Sequence, residues 1–198
     1  MKFVLASQNK HKLAEMQSIL SAHGVEVVLQ SDIGLHVDVE ETGETFAANA
    51  MLKARAVMEA SGLPAIADDS GVCVDALNGA PGVYSARYGG PELDDVARYR
   101  LLLENMRGTR TRTAHFTSCI ACVFPNGDTL EAEGICPGTI AFAPQGDGGF
   151  GYDPVFFLPE LRKTYAQLTP EEKAAVSHRG KALAVFDVKL REYLKGND

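Results

Sequence analysis

Apolar positions along the chain follow two spacings, and the two alternate. Residues 3–6 form a short unbroken apolar run, as a strand buried on both faces would. Residues 10–23 place Leu13, Met16, Ile19 and Leu20 on one helical stripe, and Gly24 follows as a stop. Residues 25–29 are apolar again. Strand, helix and strand at this spacing predict a βαβ unit, and therefore a parallel or mixed sheet. A second helix is expected over 46–60, ended by Gly62. Apolar stretches at 65–67 and 72–76 come next, with the acids Asp68 and Asp69 set between them.

The second half begins with "NGAPGVYSARYGG", a loop rich in turn formers. An amphipathic helix is expected over 93–106. Residues 114–124, the turn "PNGD" and residues 130–135 give the clearest hairpin signal in the chain. "PGTIAF" is a candidate for a further strand, and 155–158 for a short one. "LTPEEK" opens a helix: Thr169 as N-cap, Pro170 at the first position and Glu172 at the third complete a capping box. A break at "SHRG" then precedes a last helix over 181–195. No repeat or low-complexity tract interrupts the pattern, so the 198 residues read as a single domain.

Composition narrows the function. The net charge of −7 argues against a nucleic-acid binder, which shows a basic face. It allows a small anionic ligand in a local basic pocket. The apolar run near the start is too short for a signal peptide or a membrane span, so a cytoplasmic protein with no membrane contact is expected. The four cysteines are Cys73, Cys119, Cys122 and Cys136. Cys119 and Cys122 make a C-x-x-C, but within a strand-like run residues three apart point to opposite faces, so buried reduced thiols are the expectation.

Candidate chemistry gathers at element ends. Asp68 and Asp69 directly follow the strand containing Ile66, and ligands of open α/β sheets gather beyond the carboxyl ends of strands. With Glu40 and Glu41 they form a set of hard oxygen donors, which favours Mg²⁺ over zinc. The bland alternative is a solvated turn in which Asp68 caps the next segment. Lys10 and Lys12 lie at the start of the first helix, where backbone N–H groups and the helix dipole favour phosphate, and Asn9 can add a donor. Lys53 shares a helix face with Asn49. "GDGGFG" has the spacing of a dinucleotide fingerprint, yet "YDPVFF" follows it instead of a helix, so a pliable loop is expected. Phe150 and Tyr152 in that loop offer either a stacking face or core packing. Arg179 of "SHRG" can donate to a carbonyl or a phosphate, while His178 can equally be a hydrogen-bonded structural residue. No Walker A or G-x-S-x-G motif is present.

These pieces together resemble the inosine triphosphate pyrophosphatase family, the Ham1-like pyrophosphatases of non-canonical purine nucleoside triphosphates. The resemblance rests on "LASQNKHK", "EETGETFAANAMLKA", "PAIADDSGVCVDALNGAPGVYSARY", "GGFGYDPVFF" and "LTPEEKAAVSHRGKAL", which occur in the family's order and span nearly the whole chain. It implies an α/β fold with an elongated mixed β-sheet flanked by helices, two lobes and a central nucleotide-binding cleft, usually in a homodimer. It implies Mg²⁺-dependent hydrolysis of ITP, dITP and XTP to the monophosphate and pyrophosphate.

On the family pattern Ser7, Gln8, Asn9, Lys10, His11 and Lys12 contact substrate, with Lys12 and Lys53 on the phosphates. Glu41, with Glu40, and Asp69 hold magnesium, and Asp68 is a further candidate for the metal or its water shell. Asp69 also takes a proton from the attacking water, and Ser70 touches substrate. Phe150, Gly151, Tyr152, Asp153, Lys173, His178 and Arg179 line the nucleotide pocket, with Arg179 a candidate donor to a 6-keto group. The adjacent acids Asp68 and Asp69 are then expected to sit together because a divalent cation turns their repulsion into binding. One departure stands out: the family's first loop reads T-G-N-x-x-K, and here Gln8 replaces the glycine. Two other functions fit the same residues less well: a pyrophosphatase of different or broader base choice, and a nucleotide-binding protein without catalysis.

Overall fold

Strand β1 (Lys2–Leu5) is followed by helix α1 (Lys10–Leu20) and strand β2 (Glu26–Leu29), the expected βαβ unit. The computed structural model describes residues 1–196; residues 197 and 198, and the side chain of His11, lie outside the described residues. Helix α2 (Phe46–Ser61) ends where Gly62 takes a left-handed conformation, with φ of 66°. Strand β3 (Ala65–Val74), helix α3 (Asp95–Asn105), and strands β4 (Thr113–Val123) and β5 (Thr129–Ile140) come next. Strands β6 (Phe156–Leu158) and β7 (Lys163–Thr164) and helices α4 (Pro170–Val176) and α5 (His178–Gly196) complete the order.

The strands form one mixed seven-stranded sheet in the order β2-β1-β3-β4-β5-β6-β7. β1 runs parallel to both β2 and β3, while β6 is antiparallel to β5 and β7. The α/β class expected from the sequence is therefore present. Among the described residues no helix is long and apolar enough to cross a membrane.

Three expectations change. The apolar stretch 65–67 and residues 72–74 of the next belong to one ten-residue strand that carries the acids through its middle, and Asp75 and Ala76 lie in the turn after it. "PGTI" extends β5 instead of starting a new strand. The last helix also begins earlier, at His178, because Ser177 alone breaks the chain with an extended ψ of 159°.

The chain divides into two units. The first comprises Met1–Asp69, Ser118–Gly134 and the chain from Arg179 onward; the second comprises Ser70–Thr117 and Ile135–His178. In the first unit, strand periodicity assigns each residue a face. Phe3, Leu5, Ile66, Ile120 and Cys122 pack with Met16 and Leu20 of α1 and with Ala182, Leu183 and Phe186 of α5. Their neighbours Val4, Ala65, Ala67, Ala121 and Val123 face the other way, with Ala50, Ala54 and Val57 of α2 among them. The small alanines let α2 approach the sheet closely. The second unit has its own core, in which Val72, Val74, Leu102, Met106, Phe116, Ile140, Phe156 and Tyr165 are buried together.

Candidate active site

Asp68 and Asp69 lie in the middle of β3, and both are buried, 2% and 7% exposed. They are not in a solvated turn. The same alternation that sorts the core sends them to opposite faces: Asp68 follows Ile66 toward α1 and α5, and Asp69 follows Ala67 toward α2. The adjacent carboxylates therefore do not share one ligand point, and each meets its own set of cations. β1 stops pairing with β3 at Leu5, opposite Ile66, and Ala6 makes the last backbone bond to Ile66. Beyond it the Asp68 carbonyl is open to side chains, and it accepts from Lys12 Nζ at 3.2 Å and Lys53 Nζ at 3.3 Å.

On the α2 face, Lys53 Nζ donates to Asp69 Oδ1 at 2.9 Å and to Glu41 Oε1 at 2.7 Å. Asp69 Oδ2 is buried and has no hydrogen-bond partner among the described residues. Burial raises the Asp69 pKa, and Lys53 does not fully offset it, so the carboxylate is held above its ordinary value. Burial also opposes the charge on Lys53, but Asp69 and Glu41 outweigh it and raise its pKa. Glu41 is half-buried, whereas Glu40 beside it is exposed. The loop carrying both is fixed to α2 by buried Asn49, whose Oδ1 accepts from Gly43 N at 2.8 Å. A Cβ at Gly43 would stand 2.6 Å from that oxygen, so the close approach needs glycine.

On the opposite face Asp68 uses both carboxylate oxygens. Lys12 Nζ lies 2.8 Å from Oδ2, Arg179 donates to Oδ2 from Nε at 3.2 Å and Nη2 at 3.1 Å, and Ser118 Oγ donates to Oδ1. Arg179 Nη1 donates to Glu15 Oε2 at 3.0 Å. Burial penalises the Asp68 charge, but Arg179 and Lys12 outweigh it and hold the carboxyl well below the usual range. Burial lowers the Lys12 pKa in spite of Asp68. Lys12 is placed by the first turn of α1, where Asn9 Oδ1 accepts from Lys12 N at 3.3 Å and Ser7 Oγ accepts from Asn9 N at 3.1 Å. Asn9 thus caps the helix. Gln8 is exposed and its φ is negative, so the backbone here does not require glycine. Lys10 is exposed as well.

In the second unit the glycine run is a loop, as expected. Asp153 is buried and accepts from Phe150 N at 2.9 Å and from Lys173 Nζ at 2.6 Å, tying the loop to α4. The capping box of α4 is present: Thr169 Oγ1 accepts from Glu172 N, and the Glu172 carboxylate accepts from Thr169 N. It sets the start of the turn that delivers Lys173. The Lys173 ammonium lies 4.8 Å from the centroid of the half-exposed Phe150 ring. Tyr152 is core instead: it is 5% exposed and its hydroxyl donates to the Ser85 carbonyl at 2.8 Å. Gly151 N donates to Asp95 Oδ2 at 2.8 Å. His178 is buried in a stack with Phe116, with centroids 4.5 Å apart, and with Tyr165. Ser70 is half-buried on β3.

Sequence reasoning missed Glu15 and Ser118. Glu15 had a faint signal, since it lies three residues after Lys12 on one helix face. Ser118 had none, because a serine in an apolar strand gives no hint of its partner. Among the described residues no three His, Cys, Asp or Glu side chains converge on one point. On the α2 face, Asp69 Oδ2 is a buried carboxylate oxygen without a hydrogen-bond partner among the described residues.

Comparison with known proteins finds relatives along the whole chain. The model of the Ham1 family matches residues 3–188. A dITP/XTP pyrophosphatase of Haemophilus influenzae is 50% identical over 193 residues, covering 96% of this chain and 98% of its own. One from an Exiguobacterium species is 46% identical over 196 residues, covering 99% and 100%. Among solved structures, a HAM1 protein from Coxiella burnetii superposes with a TM-score of 0.91 at 44% identity, covering 97% of this chain and 99% of that one. The Staphylococcus aureus Ham1 protein gives 0.89 at 40% identity over the whole of both chains.

Proposed function

The chain belongs to the Ham1 family, and from that premise we propose that it is a nucleoside triphosphate pyrophosphatase that converts dITP, ITP and XTP to the monophosphate and pyrophosphate. The observation that carries the reading is the state of Asp69: one carboxylate oxygen anchored by Lys53, the other buried and unsatisfied, with the pKa raised. Such an oxygen suits a proton acceptor or a cation ligand.

The cofactor in this reading is Mg²⁺. Two carboxylates, Glu41 and Asp69, suit an ion that keeps waters and takes its remaining oxygens from substrate phosphates. Bound there, Mg²⁺ would neutralise phosphate charge and polarise the phosphoryl group. The chain's own residues do the rest. Lys12 and Lys53 bind the phosphates, and the capped start of α1 adds backbone donors from the loop holding Ser7, Gln8, Asn9 and Lys10. Asp69 accepts the proton of a water attacking the α-phosphorus. The bond from that phosphorus to the bridging oxygen breaks, and pyrophosphate leaves.

In the second unit Phe150 offers the base a stacking face, and Lys173, held by Asp153, adds a donor. Hypoxanthine and xanthine present a 6-keto acceptor to such donors. Adenine presents an amino group and leaves them unpaired, costing about 1–3 kcal/mol for each buried unsatisfied group. Tyr152, Gly151 and His178 shape the surroundings of Phe150 and Lys173 by packing. By the same family premise the enzyme is a cytoplasmic homodimer, and light scattering reads its oligomeric state.

The test is a nucleotide panel with and without Mg²⁺, reading pyrophosphate. Release from dITP and XTP far faster than from dATP supports the proposal. Equal rates on canonical nucleotides favour broader base choice, and tight binding without hydrolysis favours a non-catalytic binder.

A further inference from the structure

The segment that carries Glu41 has no regular structure from Leu35 to Gly43, so groups outside it must fix the acid. Two buried side-chain amides do this, one before Glu41 and one after. Gln30 accepts from Val37 N at 2.9 Å and donates to the Val37 carbonyl at 3.2 Å. Asn49, wholly buried, accepts from Gly43 N at 2.8 Å through Oδ1. Between these anchors, Thr42 N donates to the Glu40 carbonyl at 3.0 Å, a bond that stays inside the loop.

We propose that Asn49 is a positioning residue for Glu41, and that the Asn49–Gly43 contact sets the affinity of Glu41 and Asp69 for a divalent cation. The inference rests on the pyrophosphatase reading, in which those two acids hold the metal. Register is the first support. Asn49 and Lys53 are one turn apart on α2, about 6 Å along its axis. Glu41 and Gly43 are two residues apart, and two extended residues span about 7 Å. The spacings match, so holding Gly43 at Asn49 brings Glu41 to Lys53, which donates to it at 2.7 Å and to Asp69 at 2.9 Å.

The fit at Gly43 is the second. A Cβ there would stand 2.6 Å from Asn49 Oδ1 and 2.8 Å from the Ala48 Cβ, while the backbone is not left-handed. Contact alone, and not conformation, calls for glycine. The third is Asn49 itself, whose Nδ2 is buried with no hydrogen-bond partner among the described residues. A side chain kept only for packing would not strand a donor in the core. Groups that hold a metal ligand without touching the metal are commonly worth about 10–100-fold in metal affinity.

The test measures Mn²⁺ binding to the full-length chain without nucleotide, by its paramagnetic resonance signal. Wild type, Asn49→Ala, Gly43→Ala, the double variant and Asp69→Asn are compared. Asn49→Ala and Gly43→Ala are each expected to weaken Mn²⁺ about tenfold or more. The double variant should be about as weak as either single one, because both break the same contact. In dITP hydrolysis the Mg²⁺ concentration giving half-maximal rate should rise in step, while kcat at saturating Mg²⁺ and the ratio of dITP to dATP stay at wild-type values. Amide exchange at Gly43 N, read by nuclear magnetic resonance, should be slow in wild type and fast in Asn49→Ala. Folded Asn49→Ala with wild-type Mn²⁺ affinity overturns the proposal. So do additive losses in the double variant, or a kcat that saturating Mg²⁺ fails to restore. Should Asn49→Ala not fold, Gly43→Ala decides, because Gly43 lies half-buried in a loop. An Asp69→Asn variant that binds Mn²⁺ like wild type overturns the metal reading instead. Gly43 exchange still judges the Asn49 contact then, and equal rates in wild type and Asn49→Ala overturn it. A wild type inactive on every nucleotide overturns the activity, and the Mn²⁺ comparison still judges Asn49.

Discussion

Lys53 holds Asp69 by one oxygen and leaves the other buried and unsatisfied among the described residues. The pairing does two things at once. It fixes the carboxylate on the α2 face, and it leaves the carboxyl more basic than an exposed aspartate, because burial outweighs the lysine. Asp69→Asn keeps an acceptor oxygen for Lys53 and removes the base. Turnover of dITP is expected to fall by roughly 10²–10⁴-fold, the usual worth of general-base catalysis. The far-ultraviolet circular dichroism should stay that of wild type. A variant with wild-type kcat removes Asp69 from the mechanism.

Asp68 has the opposite sign, and acid unfolding reads it. Arg179 and Lys12 depress its folded pKa well below the ordinary 3.8, despite burial. Its ion-pair contribution is therefore complete above pH about 4 and is lost as pH falls further toward the folded value. At pH 7, Asp68→Asn should cost about 3–5 kcal/mol in urea denaturation, since it strands Arg179 and Lys12. Below pH 4 the gap between wild type and variant should narrow by about 1.4 kcal/mol per pH unit. A gap independent of pH between 2 and 7 contradicts a depressed carboxyl at this position.

Much of this arrangement was legible in the chain, and the rest had a physical reason to hide. Gly24, Gly62 and the Thr169–Pro170–Glu172 box mark helix ends through local backbone rules, which the sequence states directly. Asp68 and Asp69 read as acids just beyond the strand containing Ile66, because two carboxylates break an apolar run. They sit in a buried strand because Lys12, Lys53 and Arg179 arrive from remote segments to neutralise them, and no local rule reports that. Tyr152 could have been a stacking face or core; the distant Ser85 carbonyl that takes its hydroxyl places it in the core. Glu15 drew no reading from the sequence, because its partner Arg179 arrives from α5, far along the chain.

The glycine loop allows a controlled test of how Phe150 and Lys173 are held. Gly149 has φ of 73°, and a Cβ there would lie 2.0 Å from Asp153 Oδ2. That oxygen accepts from both Phe150 N and Lys173 Nζ, so Gly149→Ala must move the anchor of both. Gly151 also has a positive φ, 60°, but a Cβ there meets nothing within 4 Å. Both substitutions carry the left-handed backbone cost of about 1–2 kcal/mol, and only the first adds the collision. Gly151→Ala is thus the control for strain. Gly149→Ala should raise KM for dITP by about tenfold beyond the control, as loss of a charge-assisted contact would. Its kcat should change less, because Asp69, Lys53 and Glu41 belong to the other unit. Equal KM values for the two variants would mean that the Asp153 carboxylate does not set the position of Phe150 and Lys173 for substrate.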